Sequence, residues 1–129
     1  MIRAGGDVVI RSAVIRGKLD FTTLPSESLP DGTEVVHIPG SISIVESEIT
    51  DDVTAFSDEP AVKVAFDGPV NFEATKFFRL ANFADAEFSG DASFDGAKFS
   101  EDASFDEAKF SGDAVFYGAE FSGDANFYG

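Results

Sequence analysis

The sequence predicts an all-β solenoid, a chain wound into short stacked coils, on two observations of spacing and one of composition. From Phe72 to Phe127 a phenylalanine recurs at alternating intervals of five and six residues: Phe72, Phe77, Phe83, Phe88, Phe94, Phe99, Phe105, Phe110, Phe116, Phe121 and Phe127. A fixed period of this kind marks an architecture in which each short unit buries its apolar residue by stacking on neighbouring units. Alanine precedes almost every phenylalanine by two positions, at Ala81, Ala86, Ala92, Ala97, Ala103, Ala108, Ala114, Ala119 and Ala125. In an extended segment residues i and i−2 point to the same side, so methyl and ring face inward together and the residue between them faces water. Gly and Asp gather at the unit boundaries, where turns favour them, and a five-and-six alternation makes no fixed stripe on a 3.6-residue helix.

The units read Ala-x-Phe plus two residues, as in ASFDG and ASFDE, alternating with Ala-x-Phe plus three, as in AKFSED and AEFSGD. This pattern resembles the pentapeptide-repeat family, whose units centre on Leu or Phe with a small residue two positions earlier. The resemblance implies a right-handed quadrilateral parallel β-helix with four short faces per coil. It is close over residues 64–129 and looser over 8–56, where AVIRGKLDF is similar to the degenerate opening coils of such proteins. The family's common unit has five residues throughout. Here every second unit carries a sixth, so a four-sided coil holds 22 residues, with one pair of opposite corners widened by an extra turn residue.

The same ruler run backwards organises the rest of the chain. Ile10, Ile15 and Phe21 keep the five-then-six spacing, and Ile38, Ile44 and Ile49 keep six-then-five. With Ile10, Ile44, Phe72, Phe94 and Phe116 on the first face of successive coils, the chain makes a little under five turns. These residues, with Phe66, complete the expected structural core. Two insertions then separate Phe21 from Ile38 and Ala55 or Phe56 from Phe66, giving expected loops at 22–35 and 50–63. Both fall between the third and fourth faces, so both are expected to leave the solenoid at the same corner.

Residues 1–129 are expected to form a single domain, since a chain of this length has room for one core. The five prolines, Pro25, Pro30, Pro39, Pro60 and Pro69, all avoid the phenylalanine-bearing strand centres. No apolar run approaches the ~20 residues that a membrane-spanning helix needs. The opening MIRAGGDVVIR lacks the apolar core of a secretory signal. The absence of cysteine removes disulfide frameworks and thiolate metal sites, so the default compartment is the cytoplasm.

Charge is the second informative feature. A net charge of −15 excludes ordinary binding to a phosphate backbone, which needs a basic footprint. The distribution is uneven: Arg3, Arg11, Arg16 and Lys18 outnumber Asp7 and Asp20 in the first 20 residues, and everything after is strongly acidic. In a 22-residue register Asp91 stacks on Asp113 and Asp102 on Asp124, as acidic ladders that repel across ~4.8 Å unless salt screens them. The same register stacks Glu87 beside Lys109 and Lys98 beside Glu120. Three readings of the acid compete. It is a solvated surface with turn-capping Asp, of the kind expected in a salt-loving organism. It imitates duplex DNA, which carries one charge per ~1.7 Å, as some members of the family that this chain resembles are thought to do toward topoisomerases. Or it is a divalent-cation ladder, for which single Asp columns supply too few ligands.

Enzymatic chemistry has little to stand on. His37 is the only histidine, and it precedes the inward Ile38, so the pleat points it outward. Carboxylate pairs such as Asp51/Asp52 and Glu101/Asp102 lack a pocket, no phosphate loop or nucleophile elbow occurs, and a solid phenylalanine core leaves no cavity. The expected protein is a non-enzymatic structural or protein-interaction β-solenoid without cofactors or metals, its alternative a DNA-mimicking regulator of a DNA-binding enzyme such as a topoisomerase. Its expected partner is another protein or a second copy, met at the C-terminal edge, where the repeats run to Phe127-Tyr128-Gly129 with no capping unit.

Overall fold

The computed structural model describes residues 7–58 and 61–128. Arg3 of the basic N-terminal segment, Pro60 of the second insertion and the terminal Gly129 lie outside them. The architecture is a parallel β-helix built from four stacks of very short strands. The first face stacks Val8–Arg11, Ile42–Val45, Val70–Asn71, Ala92–Ser93 and Ala114–Val115. The second stacks Val14–Ile15, Glu48–Ile49, Lys76–Phe77, Lys98–Phe99 and Glu120–Phe121. The third stacks Leu19–Asp20, Val53–Thr54, Ala81–Asn82, Ala103–Ser104 and Ala125–Asn126. The fourth stacks Glu34–Ile38, Val62–Phe66, Glu87–Phe88 and Lys109–Phe110. Strands this short survive because each hydrogen-bonds to the coil above and the coil below, so backbone groups pair along the axis instead of within a unit.

Inside, phenylalanines stack in four columns. Phe77 lies over Phe99 with ring centroids 4.6 Å apart, and Phe99 over Phe121 at 4.8 Å. Phe88 and Phe110 are 4.8 Å apart and 3° from parallel. Rings on neighbouring faces meet edge to face, as Phe94 and Phe105 do at 5.3 Å and 80°. Offset stacks along the axis combined with tilted contacts across it are what the ring quadrupole favours. In the early coils the larger branched residues shift to the position two before the centre: Ile42 and Ile44 on the first face stand where Ala92 and Phe94 stand later. Apolar bulk is thus divided between two positions instead of being concentrated in one ring.

The second insertion is shorter than 50–63, because Val53–Thr54 lies on the third face between Leu19–Asp20 and Ala81–Asn82. Ala55 takes the buried third-face site and Phe56 turns out to pair with Lys63. A methyl where a ring would be expected leaves room for Phe21, which instead meets Phe66 edge-on at 5.3 Å. The first loop, 22–35, likewise gives up its last residues, since the fourth-face strand starts at Glu34. At the two ends, core residues named from the spacing are not fully enclosed. Ile10, Ile15, Phe110, Phe116 and Phe121 are half-buried, and Phe127 is 51% exposed although it stacks on Phe105 at 5.0 Å. Each has a neighbouring coil on one side only among the described residues.

The two kinds of corner have different physics. After the first and third faces, five-residue spacing is closed by a turn in which the third-following N–H returns to the central residue's carbonyl, as from Ala97 to Phe94 at 3.0 Å. The residue two after the centre is left-handed at Ser12, Glu46, Ala74, Asp85, Gly96, Glu107 and Gly118, and only that position has positive φ, the type II pattern. After the second and fourth faces the sixth residue widens the turn. After the fourth face Gly40, Gly68, Gly90 and Gly112 stack, and a Cβ at Gly68 would lie 2.7 Å from the Gly40 carbonyl oxygen, whereas after the second face the same position holds Asp51, Arg79, Glu101 and Gly123.

Phe99, 1% exposed in the middle of its column, is expected to cost about 3–5 kcal/mol when replaced by alanine, and Phe99→Asp to abolish the cooperative thermal transition. Conversely Ala74, held at φ 55, gives up left-handed strain of ~1–2 kcal/mol on replacement by glycine against a smaller entropy loss. Ala74→Gly should therefore raise the melting midpoint, as read by circular dichroism.

Candidate interaction faces

The residue between each inward pair forms an outward row, and the four rows differ in chemistry. The first face presents Val9, Ser43, Asn71, Ser93 and Val115, and the third Asp20, Thr54, Asn82, Ser104 and Asn126. These are mostly short neutral polar side chains that bond locally. Asn71 and Asn82 accept the N–H two residues ahead, from Glu73 at 2.8 Å and Ala84 at 3.0 Å, and so brace the next turn. The second face presents Val14, Glu48, Lys76, Lys98 and Glu120, and the fourth His37, Ala65, Glu87 and Lys109. Charge is therefore concentrated on two opposite walls.

Glu87 stands in register with Lys109 and Lys98 with Glu120. The ion pair that forms, however, joins Glu87 to Lys63 at 3.0 Å. Ala65, directly beneath Glu87, carries only a methyl, which leaves Lys63 room to reach across diagonally. Such a half-exposed pair contributes little to stability.

The acidic ladders hold a different arrangement from bare repulsion. Asp113 N–H donates to Asp91 Oδ1 at 3.0 Å, and Asp124 N–H to Asp102 Oδ1 at 2.9 Å. Each carboxylate therefore clasps the backbone of the next coil, and the attraction of carboxylate for amide acts against the like charge of the side chain above. Asp7, Asp52 and Asp106 do the same for Ser41, Leu80 and Tyr128. Sequence reasoning singled out the columns as charge. Their common trait, an Asp at a coil boundary with a backbone N–H one coil ahead, is legible only once the coil length is known.

Two buried hydroxyls escaped the sequence reading. Ser47 and Thr75 occupy the small-residue position on the second face, where Ala97 and Ala119 stand later. Thr75 Oγ1 donates to the Ile44 carbonyl at 2.7 Å, and Ser47 Oγ donates to that of Val45 at 2.8 Å while accepting from Ala13 N–H at 3.1 Å. Both polar groups are thus satisfied inside the wall, as burial requires.

Both insertions leave between the third and fourth faces. Each folds a short strand back, Glu27–Ser28 onto Glu34–Ile38 and Phe56–Ser57 onto Val62–Phe66, in antiparallel pairing. Ser28 and Ser26 hydroxyls donate to Glu34 at 2.6 and 2.7 Å and hold its carboxyl below the usual glutamate range. Thr33 N–H donates to Asp31 at 2.9 Å and lowers that carboxyl too. Rings fill the regular coils, but, against the expectation of a core without a cavity, a pocket of about 320 Å³ opens at the first coil among Ile10, Ile15, Leu19, Leu24 and Ile44, where branched aliphatics replace the rings. Outside the core the insertions frame an open cleft of about 350 Å³, lined by Leu29, Asp31, Phe56, Asp58, Lys63 and Asp85 among others. His37 faces outward, with Nδ1 3.2 Å from Asp67 Oδ2 and Nε2 3.8 Å from Glu27 Oε1. Among the described residues no three His, Cys, Asp or Glu side chains converge as metal ligands, and no helix is long and apolar enough to cross a membrane.

A family model describing pentapeptide repeats in nine copies matches residues 51–98 and again 85–129, the stretch that holds the stacked, phenylalanine-filled coils. The chain belongs to the pentapeptide-repeat family. Comparison with curated proteins and with solved structures finds no match. As a pentapeptide-repeat protein it is a structural repeat protein, and its sixth residues lie at the corners after the second and fourth faces, where most of the carboxylate clasps are found. Replacing Asp102 by alanine is expected to cost about 0.5–1.5 kcal/mol in chemical denaturation. Asp102→Asn, which keeps an acceptor oxygen, should cost less.

Proposed function

We propose that this pentapeptide-repeat protein is a non-enzymatic scaffold that displays its outward side-chain rows to another protein. The observation that carries the reading is the division of labour in the regular coils: ring stacks fill the interior, while every second residue of each strand is set out in an axial row at fixed spacing. A rigid periodic wall suits recognition of an extended partner surface better than it suits chemistry, which needs convergent groups around a pocket. The clasping corner carboxylates favour this over imitation of a nucleic acid, since their oxygens are aimed at the chain's own amides. We place the protein in the cytoplasm, with a protein partner met on the walls or at the C-terminal edge and no cofactor.

The test is a binding partner's response to salt and to wall substitutions. Ser43→Lys and Val115→Lys lie on one neutral row and should leave melting unchanged while weakening partner binding at least tenfold, with binding retained at molar KCl. Binding that vanishes with salt, ignores these substitutions and competes with duplex DNA for a topoisomerase would replace this reading with the DNA-mimic one.

A further inference from the structure

From the fourth coil boundary onward the six-residue corners follow one rule. They read Ser89-Gly90-Asp91, Ser100-Glu101-Asp102, Ser111-Gly112-Asp113 and Ser122-Gly123-Asp124. One corner, between the second and third faces, reads Phe78-Arg79-Leu80 instead. Its backbone is as regular as the others: Phe78 N–H donates to the Ile49 carbonyl at 3.0 Å, and Leu80 N–H donates to Asp52 Oδ1 at 3.2 Å. The side chains nevertheless point into solvent, Phe78 39% and Leu80 44% exposed. The other large exposed hydrophobics among the described residues, Val9, Val14, Val115, Tyr117, Phe127 and Tyr128, all belong to the first or last coil. Phe78 and Leu80 stand alone on the side wall, where stacking of further coils could never cover them.

We propose that Phe78 and Leu80 form a docking patch for a protein partner that offers an apolar socket edged by lysine or arginine. The inference rests on the scaffold reading above and names the partner's chemistry. An exposed aromatic and a leucine around an arginine, enclosed by polar residues, is the composition of an interface centre and its rim. The rim here is acidic. On the same coils Glu48, Asp51, Asp52, Glu101 and Asp102 outnumber Lys76, Lys98 and Arg79, whose Nε lies 3.6 Å from Glu101 Oε2, so the surroundings are acidic on balance. A second copy of this chain, with its net charge of −15, and an anionic membrane both bring like charge to that rim, whereas a basic edge complements it.

The double variant Phe78→Ser/Leu80→Asp tests the proposal, because it installs the residues that the next coil already carries at this corner, Ser100 and Asp102. It should melt no lower than the parent, and the carboxylate introduced at position 80 would face Asp102 N–H as Asp102 faces Asp124 N–H. The probe is an acetylated and amidated alternating Lys-Leu octapeptide, with octalysine as the comparison, titrated into ¹⁵N-labelled protein. The alternating peptide should shift the amides of residues 49–52, 77–81 and 100–102, and the double variant should bind it at least tenfold more weakly. Octalysine should bind diffusely and alike to both proteins. Equal affinity of parent and variant for the alternating peptide, or shifts centred on the Asp91/Asp113 corner, would overturn the docking patch while leaving the wall substitutions to judge the scaffold reading separately. A melting midpoint lowered in the variant would overturn it as well, by showing that the two side chains hold the corner. So would a dimer in sedimentation, or adsorption to phosphatidylserine vesicles, that the double variant abolishes.

Discussion

Residue i must sit over residue i+22, and nearly everything else in the regular half of this molecule follows from that. Two-residue strands cannot persist alone, since their hydrogen bonds lie wholly on neighbouring coils. Once Phe77 is paired with Phe99 and Phe99 with Phe121, the rings must stack, the alanines must line up and the corner residues must recur at the same place. A change of one residue in coil length would turn every inward side chain outward. The register is therefore held from three directions at once: by the ring columns, by the backbone ladders and by the carboxylate clasps that reach one coil ahead.

The two corner types divide the work of turning. Five-residue corners close tightly and force one residue into left-handed geometry, even where that residue is Ala74, Asp85 or Glu107. Six-residue corners avoid left-handed geometry after the first coil, where Gly17 still has φ 85, but after the fourth face they bring backbones so close that glycine is needed at positions such as Gly68 and Gly112. An Asp reaches the next coil from widened corners at Asp91 and Asp102 and from a tight one at Asp106. The alternation of five and six is thus a compromise between strain and crowding that repeats on opposite edges.

Function on such a frame is confined to what the outward rows and the insertions present. The neutral rows use their polar groups in local turns, the charged rows hold loose pairs, and the corner carboxylates are engaged with amides. The side-wall feature that serves none of these purposes is the apolar corner at Phe78 and Leu80. Its departure from the repeat is conspicuous because the repeat itself states what the fold requires at that position.

The spacing of Phe72 to Phe127 determined the coil length, the identity of the inward columns and the common exit corner of the two insertions, because a strict period leaves one register that buries every ring. It also placed Glu87 beside Lys109. Tertiary structure decided which charges meet: Lys63 reaches Glu87 because Ala65 is small, a matter of space between coils that no pattern along the chain encodes. It decided that Ala55, and not Phe56, completes the third face, since without a ring the ruler has no mark there. It turned Asp91 and Asp102 from repelling columns into clasps, because a carboxylate's partner is an amide 22 residues away. The burial of Phe127 likewise depends on a neighbour along the axis, and a ring's position in the repeat says nothing about whether a coil lies above it.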